Sequence, residues 1–475
     1  MKLNSDLSNS SAYNFFKQIC KIPHGSGNEQ GLADYIENFA RERGLYCYRD
    51  AYNSVLIRKP ANKRHGESVL LQGHLDMVCE KNAGVDFDFL KDGIIPVERG
   101  GFLYASGTTL GADDGVAVAL MLSLLDDKSF EAPEIECLFT TGEETSLVGA
   151  MNFDYSRIKS RKMINLDTEK EGEAVAGSAG GVRCKITCKP EFVQAASGEK
   201  TYTIKIGGLK GGHSGCDINA GRLSACVLGA KLLRLLGDKV GICAFTGGNM
   251  DNAIARECEI TVNTCDEKHV FDIARDFETT MKAKACKEDA GLYIKVEGTD
   301  NISNSYTPQF SSAFVNLINE IPHGVSAMSR DMEGLVESSS NFASVKRAGE
   351  DVIISVSMRS SVEQSLAAMK DSVRAKAESS GFETKFDGEY PGWQYDPDSQ
   401  ITQAFRICYK KLTGADGRVE AIHAGLECGV VKSRIPDMDI VSIGPNIYDI
   451  HTPNERLDIG SFLRFTELVR MMIDL

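Results

Sequence analysis

In VLLQGHLDMVCEKN (residues 69–82) a histidine and an aspartate stand two positions apart, just after a short apolar run that ends in Gly73. Side chains of an extended strand alternate faces, so residues two apart point the same way. The spacing lets Asp76 orient the His74 ring through one nitrogen while the other nitrogen binds a metal. The plainer alternative is a hydrogen-bonded histidine at a strand end, followed by a turn aspartate. Other residues of the chain must decide between the two.

GTTLGADDGVA (107–117) carries Asp113 and Asp114 at the start of an apolar helix, where one acid can act as a cap but two adjacent acids cannot both do so. TTGEETS (140–146) puts Glu143 and Glu144 straight after a strand. Being neighbours they project in different directions, so one can bind a metal while the other faces substrate. NLDTE (165–169) adds Asp167 at another strand end, and GPNIYDIHTPNE (444–455) supplies His451 in a loop before the last helix. Singly, each cluster reads as a turn or a cap. Jointly, His74, Asp113, Glu144, Asp167 and His451 are hard or borderline ligands, all at predicted strand ends or in connecting loops. Two histidines and three carboxylates suit a two-metal site in which one carboxylate bridges ions about 3.5–4 Å apart. Glu143 is then free to serve as general base.

The elements that must hold these residues alternate between helix and strand. Helical patterns cover 11–20, 28–44 and 114–127; strands cover 45–49, 53–58, 134–144 and 162–169, with another running into Gly73. This alternation predicts a largely parallel α/β sheet covered by helices. Each acidic or histidine cluster falls just after a strand, where open α/β sheets keep their active sites. Beyond about residue 185 the order becomes β-α-β-β-α-β, the ferredoxin-like arrangement, and a second, shorter α+β set follows over 310–389. The predicted organisation is a discontinuous metal-binding catalytic domain, 1–185 and 390–475, with an inserted α+β (ferredoxin-like) lid domain over 186–389, itself open to division into two related halves.

Bulk properties narrow the function. The 475 residues are 42% hydrophobic and 25% charged, as in soluble globular proteins. The net charge of −14, without a stripe of Lys and Arg, excludes a general nucleic-acid or anionic-membrane binder. The opening MKLNSDLSNSSAYNFF has no apolar signal core, and no window approaches the roughly 18 apolar residues of a membrane span. A cytoplasmic location is therefore expected. The 14 cysteines are scattered without a Cys-x-x-Cys pair, as expected of reduced, mostly buried residues. Any metal is then held by His and carboxylate, which favours zinc, with manganese or cobalt as alternatives. The glycine-rich GGLKGGHSG (207–215) lacks the P-loop spacing, so nucleotide binding is not expected. Its glycines fit a backbone turning tightly around an exposed His213.

The motifs IPHGSGNE, LQGHLDMV, ASGTTLGADDG, TGEE, INLDTEKEGE, GLKGGHSG, NAIARE, YPGWQ, IHAGLECG, VSIGP and HTPNE run through the chain in this order. In them the sequence resembles the co-catalytic zinc metallopeptidases, a family of aminoacylases, carboxypeptidases and cytosolic dipeptidases, and in particular its bacterial aminoacyl-histidine dipeptidases. The resemblance implies a zinc-peptidase-like catalytic domain holding two divalent metal ions. It implies His74 as a ligand of one ion with Asp76 orienting it, and Asp113 as the bridge, which leaves Asp114 as the helix cap. Glu143 would be the catalytic base, Glu144 and Asp167 ligands of different ions, and His451 the ligand completing the second ion. His213 would polarise the scissile carbonyl from the inserted domain, and Asn252, Arg359 and Gly425 would grip substrate, the arginine through its terminal carboxylate. The implied substrate is a short unblocked peptide such as β-alanyl-histidine; an N-acyl amino acid deacylase or desuccinylase, or an inactive binding relative, is the alternative. A homodimer stays open.

Overall fold

The computed structural model describes residues 7, 10–62, 66–299 and 303–474. The chain forms two compact units, one made of Met1–Gly177, Tyr395–Ala421 and Leu426–Leu475, the other of Ser178–Gln394 and Ile422–Gly425. These bounds differ from the sequence-based ones at three places, the first unit ending at Gly177 rather than 185 and resuming at Tyr395 rather than 390. A boundary at 185/186 would cut the continuous strand Gly180–Cys188, and the short Ile422–Gly425 segment, expected within the metal-binding domain, groups with the second unit.

The first unit is built on an eight-stranded sheet in the order Tyr46–Arg49, Val55–Lys59, Ile135–Thr140, Val69–His74, Lys162–Asn165, Asp439–Ser442, Glu173–Ser178, Arg418–Ile422. The strands from Ile135–Thr140 through Asp439–Ser442 run parallel. Every residue of Val69–His74 and Ile135–Thr140 is buried, as expected of strands covered on both faces. Their register brings the C-terminal ends out along one edge: His74 pairs with Thr140, Gln72 with Asn165, and Asn165 with Ser442. The loops that follow carry the predicted ligands.

The helix Ala112–Asp126 is buried from Ala112 to Leu125, apolar on all sides, which is the pattern of a core helix rather than a surface one. It reaches the strand end because Gly73 has no side chain: a Cβ there would strike the Asp114 carboxylate and come within 2.7 Å of Ala117 Cβ. A four-stranded sheet joins Val97–Arg99 and Phe102–Tyr104 to Arg456–Asp458 and Ile447–Tyr448, flanking the HTPNE loop. Sequence reading assigned no element between 82 and 106, because these strands are too short to show a period.

The second unit has a nine-stranded sheet made of two β-α-β-β-α-β sets and one further strand, Gly324–Met328, which pairs with Val336–Ala348. In the first, the strands Lys200–Gly207, Gly241–Gly247, Cys258–Thr264 and Tyr293–Thr299 alternate with the helices Ala225–Leu236 and Glu267–Lys282. The second begins with Gly180–Cys188 and resumes at helix Pro308–Glu320, followed by Val336–Ala348, Asp351–Ser360, helix Glu363–Ser379 and Glu383–Tyr390. One set is thus inserted after the first strand of the other. They meet where Gly247 pairs with Val345. A second set read only from 310 onward misses its own first strand, which lies far upstream.

Candidate metal centre and substrate residues

The first unit gathers His74, Asp113, Glu144, Asp167 and His451 at the ends of its parallel strands. His74 Nε2 lies 3.2 Å from Asp113 Oδ1 and 3.2 Å from Asp167 Oδ1. His451 Nε2 lies 3.3 Å from Asp113 Oδ2 and 3.0 Å from Glu144 Oε1. The two oxygens of Asp113 therefore face two separate groups, each with one imidazole and one further carboxylate. Asp114 is also close enough to share a cation with His74 and Asp167, although sequence reading gave it no such place. Glu143 stands outside these groups.

The electrostatics call for positive charge. Asp113 and Glu144 push the His451 pKa up to about 10. Burial opposes a charge on His74, yet Asp167, Asp113 and Asp76 outweigh it and hold its pKa well above the ordinary value. Burial raises Asp167 and Asp114, and each has a carboxylate neighbour that raises it further. Burial, then Glu427, Glu144 and Asp113, lift Glu143 to about 8 against the lowering effect of His74. Crowding of this kind is relieved by divalent cations, and imidazole with carboxylate is the donor set such ions take. The residues present suit divalent ions: His74 with Asp113 and Glu144, and His74 with Asp114 and Asp167, lie close enough to share one. Two ions would be held by His74, Asp113 and Asp167 and by Asp113, Glu144 and His451.

Asp76 does more than its spacing suggested. His74 Nδ1 lies 2.9 Å from the Asp76 carbonyl oxygen, whereas the nearer carboxylate oxygen is 3.5 Å away. The carboxylate instead accepts from Glu143 N at 3.0 Å, Glu144 N at 3.2 Å and the Ser26 hydroxyl at 2.8 Å. It holds the turn that presents the adjacent glutamates, while the ring meets the Asp76 carbonyl more closely than the carboxylate. Asp76→Ala is accordingly expected to weaken metal binding or turnover roughly 10–100-fold. Normal metal affinity and turnover in that variant would reduce Asp76 to a turn residue.

Asp113 and Asp114 are both non-helical, and Asp114 Oδ2 turns to His74 N, accepting from it at 3.2 Å. Glu455 holds the backbone that leads into them, as developed below. Sequence reading also passed over Glu427 in IHAGLECG, which is 1% exposed. Its Oε2 accepts from Gln72 Nε2 at 2.5 Å and from the Thr140 hydroxyl at 2.6 Å, and Asn165 Nδ2 donates to Gln72 Oε1 at 2.6 Å. A polar chain thereby links the parallel strands just behind the ligands. Burial pushes Glu427 up to about 7. An acid inside a glycine-rich motif was the available signal.

His213, Asn252, Arg359 and Gly425 all belong to the second unit. The strand Gly212–His213 pairs with Ala253–Ile254, and Ser214 N donates to the Asn252 carbonyl at 2.8 Å. His213 Nδ1 accepts from Gly215 N at 3.3 Å and Cys216 N at 3.2 Å, which places the ring hydrogen on Nε2. Burial, aided by Arg359, lowers its pKa and keeps the ring neutral. Arg359 donates to the Tyr390 hydroxyl at 2.7 Å, and the Tyr390 ring lies where a Gly425 side chain would be, 2.6 Å from an added Cβ. His423 also belongs here. Its Nε2 is 2.7 Å from Ser339 Oγ, and burial followed by Arg359 lowers it to about 4.

A carboxylate that faces two histidines near parallel strand ends, with a glutamate left free beside it, is the equipment of a metallohydrolase. The family model for peptidase family M20/M25/M40 matches residues 70–474, and the chain belongs to that family of peptide hydrolases, in which dinuclear metal use is typical. It is 34% identical to the cytosol non-specific dipeptidase of Escherichia coli K12, across 99% of this chain and 98% of that one. It is also similar to the crystal structure of aminoacylhistidine dipeptidase from Vibrio alginolyticus, with 34% identity, a TM-score of 0.93 and coverage of 99% of this chain and 97% of that one. The aminopeptidase PepT of Bacillus cereus shares the fold at 16% identity and a TM-score of 0.57, over 99% of this chain and 98% of its own. Among the described residues no helix is long and apolar enough to cross a membrane.

Proposed function

We propose that this chain is a cytoplasmic metal-dependent dipeptidase acting on unblocked dipeptides, Xaa-His dipeptides such as β-alanyl-histidine among them, with zinc in both positions. The observation that carries the reading is the placing of the Asp113 carboxylate, whose two oxygens face His74 and His451 at 3.2 and 3.3 Å. The likeness to two dipeptidases along nearly the whole chain supports the substrate class. When bound, two such ions would polarise a water and the scissile carbonyl.

The rest is the work of side chains. Glu143 takes the proton of the attacking water at its carboxylate and passes it to the leaving amine nitrogen. Asp76 keeps Glu143 and Glu144 in place through their N–H groups. His213, with its hydrogen on Nε2, donates to the carbonyl oxygen as charge develops there. Arg359 pairs with the terminal carboxylate of the substrate, and Asn252 and Gly425 complete the substrate contacts.

The test is metal analysis of the purified protein together with a substrate panel, with and without chelator. Two ions per chain and chelator-sensitive release of histidine from β-alanyl-histidine are expected. Hydrolysis confined to N-acyl amino acids would make the chain a deacylase instead. Two bound ions with no hydrolysis of either class would make it a binding relative.

A further inference from the structure

Glu455 ends the HTPNE motif and is 3% exposed. Both of its carboxylate oxygens accept main-chain N–H groups of one remote segment. Oε2 accepts from Leu110 N at 2.7 Å and Gly111 N at 3.0 Å, and Oε1 accepts from Ala112 N at 2.8 Å and Asp113 N at 3.3 Å. A helix start leaves its first N–H groups without partners, and a local side chain ordinarily meets one of them. Here Gly111, at φ 71, has no side chain to offer, and neither Asp113 (φ −84, ψ 106) nor Asp114 (φ −113, ψ 32) is helical, so the backbone from Leu110 to Asp113 is not held by a regular helix. The segment that ends in the bridging aspartate is thus held from outside, by a single acceptor-only group.

The loop providing that group also carries His451. His451 itself sits in the left-handed region at φ 61, as does Asp449 at φ 53, conformations that non-glycine residues keep only when their surroundings hold them. Glu455 lies one turn further on, its own N–H bonded to the Thr452 carbonyl at 3.0 Å. One carboxylate therefore ties the backbone of Asp113 to the loop of His451, while their side chains face each other at 3.3 Å.

We propose that Glu455 is a positioning residue that keeps the Asp113 bridge in register with His451 and so sets the affinity of the ion position formed by Asp113, Glu144 and His451. The proposal rests on the two-ion reading above. The position formed by His74, Asp113 and Asp167 depends on it less, because His74 ends one strand of the sheet and Asp167 follows another. Glutamine at 455 would be nearly isosteric, but it keeps one acceptor oxygen and turns an NH2 group towards N–H donors, so part of the segment loses its anchor.

The experiment is a two-step zinc titration of the metal-free protein, followed by calorimetry, on wild type and Glu455→Gln. Glu455→Gln is expected to bind its first ion within about twofold of wild type and its second at least ~10-fold more weakly, the usual scale for a lost outer partner of a ligand. Turnover should fall with little change in KM and recover as zinc is raised. Wild-type affinity in both steps would overturn the proposal. So would equal weakening of both steps with a lower melting temperature of the metal-free chain, the signature of a merely structural role. Should Glu455→Gln not fold, Glu455→Asp keeps the charge one methylene short, and the same outcomes decide. A wild-type protein that binds fewer than two ions would sink the two-ion reading instead.

Discussion

Glu143→Gln is expected to retain both metal ions and lose at least ~10²-fold in turnover, about 2.7 kcal/mol of barrier, since general-base contributions are of that order or larger. The substitution keeps size and shape, and it keeps the N–H that donates to Asp76 at 3.0 Å, so the turn should stand. What it removes is a carboxylate that can carry a proton beside the ion positions. Glu143 belongs to neither metal-capable group, whereas Glu144 faces His451 at 3.0 Å. Glu144→Gln should therefore fail in the other way, losing metal along with activity. Metal analysis and turnover measured on both variants separate the roles of two adjacent residues of the same type. A Glu143→Gln protein that hydrolyses dipeptides at the normal rate would show that the base is elsewhere.

What could be read from sequence follows a physical line. Candidate ligands close to their own strand, such as His74, Glu144 and Asp167, announce themselves, because the apolar run and the polar residue are neighbours in the chain. The parallel core is legible for the same reason: Val69, Leu70 and Leu71, and Cys137, Leu138 and Phe139, are short apolar runs inside Val69–His74 and Ile135–Thr140. Partners joined only by folding are not legible. Asp114 reads as a cap because it opens a helix, but the acceptor for the backbone just before it, Glu455, comes from the far end of the chain. Asp76 and His74 were rightly put together by spacing, but spacing cannot show that the carbonyl rather than the carboxylate lies nearer the ring. Gly180–Cys188 was divided by an assumed boundary because its partner Asp351–Ser360 lies far along the chain. His423 gave no signal at all, since its pairing with Ser339 depends on a strand whose register no local pattern reveals.

His213→Ala is expected to leave two ions bound while kcat drops by about 10²–10³-fold, the usual cost of one oxyanion donor. His213 belongs to the second unit, and every proposed ligand belongs to the first. Its ring is prepared for donation and not for metal binding. Nδ1 already accepts from Gly215 N and Cys216 N, so the hydrogen resides on Nε2, and burial with Arg359 keeps the ring from taking a second proton. A neutral donor of this kind strengthens its hydrogen bond as the carbonyl oxygen gains charge, which is when the bond lowers the barrier. The glycines around it are required by the fold: Gly212 has φ 151, and a Cβ there would run into Arg222 and Asp217. Alanine at 213 itself meets no such obstacle, because its backbone pairing with Ala253 is retained. Bound metal and turnover of His213→Ala should be measured on the same preparation. Lost metal would make His213 a ligand, and unchanged turnover would make it a bystander; either result would remove it from the proposed mechanism.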